Sequence, residues 1–141
     1  MTFSVKTSSF EMQTAGFGDI LDITRQVAKG VSGSGLSDGT ATVFVPGSTA
    51  GITTIEYEPG AVEDLKKAIE RQASANLHYA HDARWGDGNG FSHVRAALMG
   101  ASLTVPFIRS ELQLGTWQQI VLCDFDNRAR KREVLVQVMG V

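Results

Sequence analysis

The chain has 141 residues, an apolar fraction of 43% and a formal net charge of −2. That length fits one domain around one continuous core, the charge argues against a broad nucleic-acid face, and no apolar run approaches the roughly 20 residues that span a bilayer. The first residues show no basic segment followed by an apolar stretch, and the single cysteine, Cys123, has no partner for an internal disulfide. The expectation is a cytoplasmic protein with a buried, reduced thiol, bound to neither nucleic acid nor membrane.

In chain order, Phe3 and Val5, then Phe10 and Met12, alternate loosely with polar residues and predict an opening pair of strands. Ile23, Val27 and Val31 recur every four residues with Ala28 beside them, which predicts a short amphipathic helix. Asp22 is its candidate N-cap, and Gly33-Ser34-Gly35 ends it. Ala41 to Val45 reads as a strand that stops at Pro46-Gly47. Ile52 to Tyr57, rich in β-branched residues, reads as another, ended by Pro59-Gly60. Ala61, Leu65, Ala68 and Ile69 mark a second helix, with Glu63 and Lys67 spaced for a surface pair.

Periodicity then disappears from Asn76 to His93, and Val94 to Met99 has the length of a helical turn. Leu103, Val105 and Phe107, then Leu112 and Leu114, alternate as in a β-hairpin. Trp117, Gln118 and Gln119 interrupt it with bulky polar groups that need hydrogen-bond partners if buried, which suggests a shaped site or an interface. A last strand sets Val134, Val136 and Val138 on one face. This order predicts a single α+β domain over residues 1–141 with mostly antiparallel pairing.

All three histidines gather in the aperiodic stretch, where His81 and His93 accompany Asp82, Asp87, Asn89 and the aromatics Tyr79, Trp85 and Phe91. Imidazole suits zinc and similar metals, and loop carboxylates could complete a shell. The His81 to His93 spacing matches no closed zinc motif, so loop histidines making ordinary hydrogen bonds are the competing reading; His78 reads as surface. Pro46 to Gly51 is a small-residue bend whose N–H groups could surround an anion, or a plain tight connection. Glu56 and Glu58 flank Tyr57 and would share one strand face, able to bind a cation or exchange a proton, or simply exposed. Arg128, Arg130, Lys131 and Arg132 crowd a turn, solvated by default, with a phosphate contact as the lesser reading. Trp117 belongs to a core or an interface, or stacks on a planar ligand.

Residues Phe17, Asp22-Ile23-Thr24, Val43 to Pro46, Ser48-Thr49-Ala50, Glu56, Asp64, Tyr79, His81, Asn89, His93 and Gly100 carry a resemblance that runs nearly end to end. It continues through Ser102 to Pro106, Leu114-Gly115-Thr116-Trp117-Gln118 and Gly140. On these blocks the chain resembles the YjbQ-like family, whose members are mostly uncharacterised. The resemblance implies a two-sheet mixed β-sandwich with two main helices, assembled as a homotrimer. Some members are described as secondary thiamine-phosphate synthases, which join a pyrimidine methyl diphosphate to a thiazole phosphate and release pyrophosphate. The site expected on this basis has His81, His93 and Glu56 as catalytic groups, with His81 and His93 as ligands of a divalent metal such as Zn or Mg. Gly47, Ser48, Thr49, Asn89, Trp117 and Gln118 are its expected contacts to a small phosphorylated ligand. A non-catalytic binding trimer is the alternative. One departure matters: many relatives carry a histidine where this chain has Gly47, which removes one metal ligand if three histidines bind the metal there.

Overall fold

Ile120, Val121, Leu122 and Cys123 are all fully buried, and this unbroken apolar run organises the molecule into layers. Alternate residues of a strand face opposite ways, so a strand apolar at every position must be covered on both faces. The computed structural model describes residues 2–141. Its strands and helices are, in order, β1 Ser4–Thr14, β2 Asp19–Asp22, α1 Thr24–Gly33, β3 Gly39–Phe44, β4 Ala50–Ile55, α2 Pro59–Gln72, α3 Ala80–Trp85, α4 Gly90–Met99, β5 Ser102–Ile108, β6 Glu111–Leu112, β7 Gln119–Asp124 and β8 Arg130–Gly140. They form a five-stranded sheet in the order β1-β8-β3-β5-β6 and a three-stranded sheet in the order β2-β7-β4. Every strand pair is antiparallel.

β7 is the centre of the small sheet. Its even residues, Ile120 and Leu122, join the main core with Ile52 of β4, with Val27 and Val31 of α1, and with the inward row Val134, Val136 and Val138 of β8. Its odd residues, Val121 and Cys123, face a second core with Ala96 of α4 and Leu65 and Ile69 of α2. The large sheet therefore packs on the small sheet together with α1, and α2 and α4 cover the small sheet's other face. Each fully buried aliphatic side chain here contributes roughly 1.5–3 kcal/mol of apolar burial.

Local signals explain most boundaries. The N-cap of α1 is Ile23, which makes no side-chain cap bond, rather than the expected Asp22; Asp22 lies one residue earlier, where its Oδ1 accepts from the Thr24 amide at 3.0 Å and the Thr24 hydroxyl at 2.7 Å. Glu58 is the N-cap of α2, accepting from the Gly60 and Ala61 amides, with Pro59 placed where its missing N–H costs nothing. The Glu63–Lys67 pair forms on the exposed face of α2 at 3.8 Å.

Five further expectations need correction. The opening is one strand of eleven residues rather than two, because β1 pairs without a break along β8 from Ser4↔Gly140 to Thr14↔Arg130. Beside the two main helices, α1 and α2, the described residues hold two shorter ones where only a helical turn was expected. α3 forms inside the aperiodic stretch, and α4 begins at Gly90, four residues before the expected turn. The hairpin is short: β6 has two residues, and the chain then leaves the large sheet to enter β7 of the small one. Finally, β4 ends at Ile55, so Glu56 and Glu58 share no strand face.

A polar cavity at the open end of the sandwich

The inward rows that build the core change character at one end of the molecule. Val138, Val136 and Val134 of β8 are followed along the same face by Arg132 and Arg130, and Ile120 and Leu122 of β7 by Asp124. Facing rows that are apolar in the core thus turn charged at this end of the two sheets. Asp124 and Asp126 are completely buried, and Arg132 is only 8% exposed. Arg132 donates to Asp124 twice, from Nε to Oδ2 at 2.7 Å and from Nη2 to Oδ1 at 2.8 Å. Arg130 donates from Nε to Asp126 Oδ2 at 2.7 Å. Thr14 of β1 donates to Asp124 at 2.6 Å. Thr49 accepts from Arg132 Nη2 at 2.6 Å and donates to Asp126 at 3.2 Å.

These bonds set the charge states. Burial pushes the Asp124 carboxyl up, but the donors from Arg132, Thr14 and the Asp126 amide outweigh it and hold the group below its ordinary value. Asp126 behaves alike: burial raises it, and Arg130 and the Asn127 amide bring it down. The carboxylate partner Asp124 raises Arg132 further than its desolvation lowers it, so the guanidinium stays charged.

Above this network lies an open cavity of ≈ 530 Å³. One wall is the loop Gly47-Ser48-Thr49 between β3 and β4, and the floor is Arg130 and Arg132. The other wall carries His81, Trp85, Asp87, Asn89 and His93, from α3, the turn after it and the start of α4. His81 and His93 lie with ring centroids 4.4 Å apart. His81 Nδ1 is buried without a hydrogen-bond partner, although Asp87 Oδ1 is 3.3 Å away and Asp82 Oδ1 3.5 Å. One ligand-type atom from each of His81, Asp82 and Asp87 lies within 4.8 Å of the others. His93 contributes none to that group. Asp82 is fixed by the Gly90 amide, which donates to it at 2.8 Å. The Asn89 amide fits two orientations, with its nitrogen 3.3 Å from Asp126 Oδ1 or, turned over, 3.1 and 3.2 Å from the two Asp87 oxygens. We assign the second, since it makes two contacts and Asp126 Oδ1 keeps the Asn127 amide at 2.8 Å.

The fold thus brings together Gly47, Ser48, Thr49, His81, Asn89 and His93 from the expected set. It does not bring Glu56, Trp117 or Gln118 to them within one chain. Those three sit at the opposite end of the small sheet, where Ile55 pairs with Gln119. β4 separates the two ends by about 17 Å at about 3.4 Å per residue. Trp117 is 72% exposed and belongs to no core. Gln118 closes its own turn, accepting from the Gly115 amide at 3.0 Å and donating to Thr54 at 3.2 Å. Gln119 accepts from the Tyr57 amide at 2.8 Å. His78 is exposed, as expected of a surface residue. Asp124 and Asp126 were not among the expected site residues, and Arg132 entered only through the lesser reading of its basic turn. The signal for them was the period-two register itself, which continues the buried rows into charge.

A family profile described as "UPF0047 protein YjbQ-like" matches residues 8–141. The chain belongs to the YjbQ-like family. A UPF0047 protein of Methanothermobacter thermautotrophicus is 35% identical to it over 136 residues, 96% of this chain and 93% of that protein. The UPF0047 protein YugU of Bacillus subtilis is 33% identical over 133 residues, 94% and 98% of the two chains. Among solved structures, a protein of unknown function from Sulfolobus solfataricus P2 matches with a TM-score of 0.93 at 31% identity, covering 99% of this chain and 100% of its own. An uncharacterised Clostridium acetobutylicum protein matches with a TM-score of 0.85 at 35% identity, covering 93% and 98%. The two-sheet α+β architecture of this YjbQ-like chain is therefore that of the family. No helix among the described residues is long and apolar enough to cross a membrane.

Proposed function

We propose that the cavity binds a small phosphorylated ligand beside a divalent cation, and that the protein uses it for a transfer in which a diphosphate group departs. One observation carries this reading: opposed edges of a single cavity seek opposite charges. On one edge His81 Nδ1, which has no hydrogen-bond partner, converges with oxygens of Asp82 and Asp87. One imidazole nitrogen and two carboxylates are a donor set that suits Zn or Mn better than Mg, which favours oxygen. On the other edge stand the small-residue loop and two arginines. A phosphate ester accompanied by a metal ion satisfies both edges. A bound cation would supply charge neutralisation to a leaving diphosphate, while this chain's own residues orient it and exclude water.

The secondary thiamine-phosphate synthase type of reaction, with pyrophosphate release, is the finer form of this proposal. It is checked by incubating the protein with Mn²⁺, a pyrimidine methyl diphosphate and a thiazole phosphate, and measuring released pyrophosphate. Release that His81→Ala abolishes supports the enzyme. Saturable binding with no release supports a binding module that holds the ligand without turning it over. Absence of both ends the reading.

The homotrimer belongs to the same proposal. The outward face of the large sheet leaves Val5, Phe44, Ile108 and Met139 between 38% and 52% exposed among threonines and Gln137, apolar side chains that a trimer would cover. Light scattering at micromolar concentration should give three times the chain mass of 15.2 kDa, and a monomer mass would overturn the assembly.

A further inference from the structure

Arg132 is more than a structural partner of Asp124. A guanidinium has five N–H donors in a fixed plane. Three are engaged: Nε with Asp124, and both hydrogens of Nη2 with Asp124 and Thr49. Nη1 has no hydrogen-bond partner among the described residues, and Arg132 lines the cavity. The residue above it is Gly47, at φ +145°, and a Cβ there would stand 3.1 Å from Nη1. Glycine therefore both allows the backbone conformation and keeps the donor uncovered.

We propose that Arg132 Nη1, uncovered by Gly47, anchors a phosphate oxygen of the ligand; this rests on the phosphorylated-ligand reading above. The pattern of occupied donors selects the anion. A planar carboxylate binds arginine best through two parallel N–H bonds, and both paired edges of this guanidinium include Nη2, which is already saturated. Only a single edge remains. The Gly47 and Ser48 amides, which make no backbone hydrogen bond among the described residues, lie in the loop beside it. Donors arriving from different directions suit a tetrahedral oxyanion rather than a flat one. Asp124 fixes the guanidinium before any ligand arrives, so little side-chain freedom is lost on binding. Gly47 thus leaves an open donor in the cavity where a side chain would cover it.

The test is calorimetric titration of the full chain with Mn²⁺, then with pyrophosphate, for the unmodified protein, Gly47→Ala and Arg132→Lys. Both variants should bind pyrophosphate about tenfold more weakly and Mn²⁺ as before, since neither touches His81, Asp82 or Asp87. Arg132→Lys keeps the charge but loses the Nη1 position; should it fail to fold by circular dichroism, Gly47→Ala decides alone, because it leaves the Arg132–Asp124 pair in place. Pyrophosphate binding by Gly47→Ala within about twofold of the unmodified protein overturns the anchor while leaving the phosphorylated-ligand reading intact. Loss of Mn²⁺ and pyrophosphate together means the loop has collapsed, and it counts against the anchor. An unmodified protein that binds no pyrophosphate, with or without Mn²⁺, overturns both.

Discussion

The two ends of the small sheet use polar residues in opposite ways. At the Asp124 end, Asp124 and Asp126 are completely buried, and each is held by an arginine of β8. At the Gln119 end, Glu56, Trp117 and Gln118 point outward, and the glutamines bond to backbone and hydroxyl groups of their own neighbourhood. Polar density in the sequence is similar at both ends. What separates them is depth: a polar group near bulk water loses little when its partner is removed, whereas a buried ion left alone carries its full desolvation penalty.

The sharpest way to break this comparison is Asp124→Ala. It strands the Arg132 guanidinium in a site only 8% exposed and removes the acceptor of Thr14. The expected loss is about 3–5 kcal/mol, the cost of uncoupling a buried pair. Urea unfolding checks it, and a loss near that of a surface substitution would show that the pair is not buried in solution.

Acid should act on the same end and spare the other. The Asp124 and Asp126 carboxyls lie below their ordinary value in the folded chain. The unfolded chain therefore binds protons on these groups first as pH falls. Their contribution to stability is fully present above the unfolded value of about 3.9, and it is lost as pH drops from there through the lower folded values. Unfolding midpoints should decline steeply below about pH 4, and Asp124→Asn should flatten that decline. An unchanged slope in the variant would assign acid sensitivity elsewhere.

How much of this was legible in the sequence follows from what a period-two pattern can carry. The apolar row Val134, Val136 and Val138 announces a buried face, and the unbroken run from Ile120 to Cys123 announces a strand covered twice. Arg132 and Asp124 lie in register with these rows, but a reading that tracks apolar residues stops at the first charge and leaves Arg132 in a solvated turn. α3 and the start of α4 were hidden for a related reason. Their inward residues include Asn89 and Ser92, buried polar groups that interrupt any hydrophobic period. Glu56 and Gln118 lie apart from the cavity within one chain because similarity to a family pattern says which residues recur, not which end of a strand they occupy. His81, Asn89, His93 and the Gly47–Thr49 loop share one cavity because both of their segments meet the Asp124 end of the sheet.

His81→Ala should separate binding from stability. His81 Nδ1 has no hydrogen bond to lose, so the melting point should shift by no more than about 1 kcal/mol would cause, as for a substitution away from the core. Mn²⁺ affinity should fall by at least about tenfold, the scale of losing one partner of a metal site. Glu56→Ala, at the far end, should leave that affinity unchanged. Equal losses from both variants would contradict the separation of the two ends and place Glu56 at the cavity in the assembled protein.

Cys123 offers the smallest signal and the cleanest control. It lies one residue before Asp124, yet it faces the other way, into the core under α2 and α4. Burial pushes its thiol up to about 12, with the Asp19 carboxylate adding to the shift. At neutral pH almost no thiolate forms, and thiolate is the species that reacts. A thiol reagent should label the native protein only at the rate of opening, and rapidly once urea unfolds it. Cys123→Ala should cost a modest 1–2 kcal/mol or so for a small cavity, without altering Mn²⁺ or pyrophosphate binding. Fast labelling of the folded chain would mean that α2 and α4 lift from the small sheet.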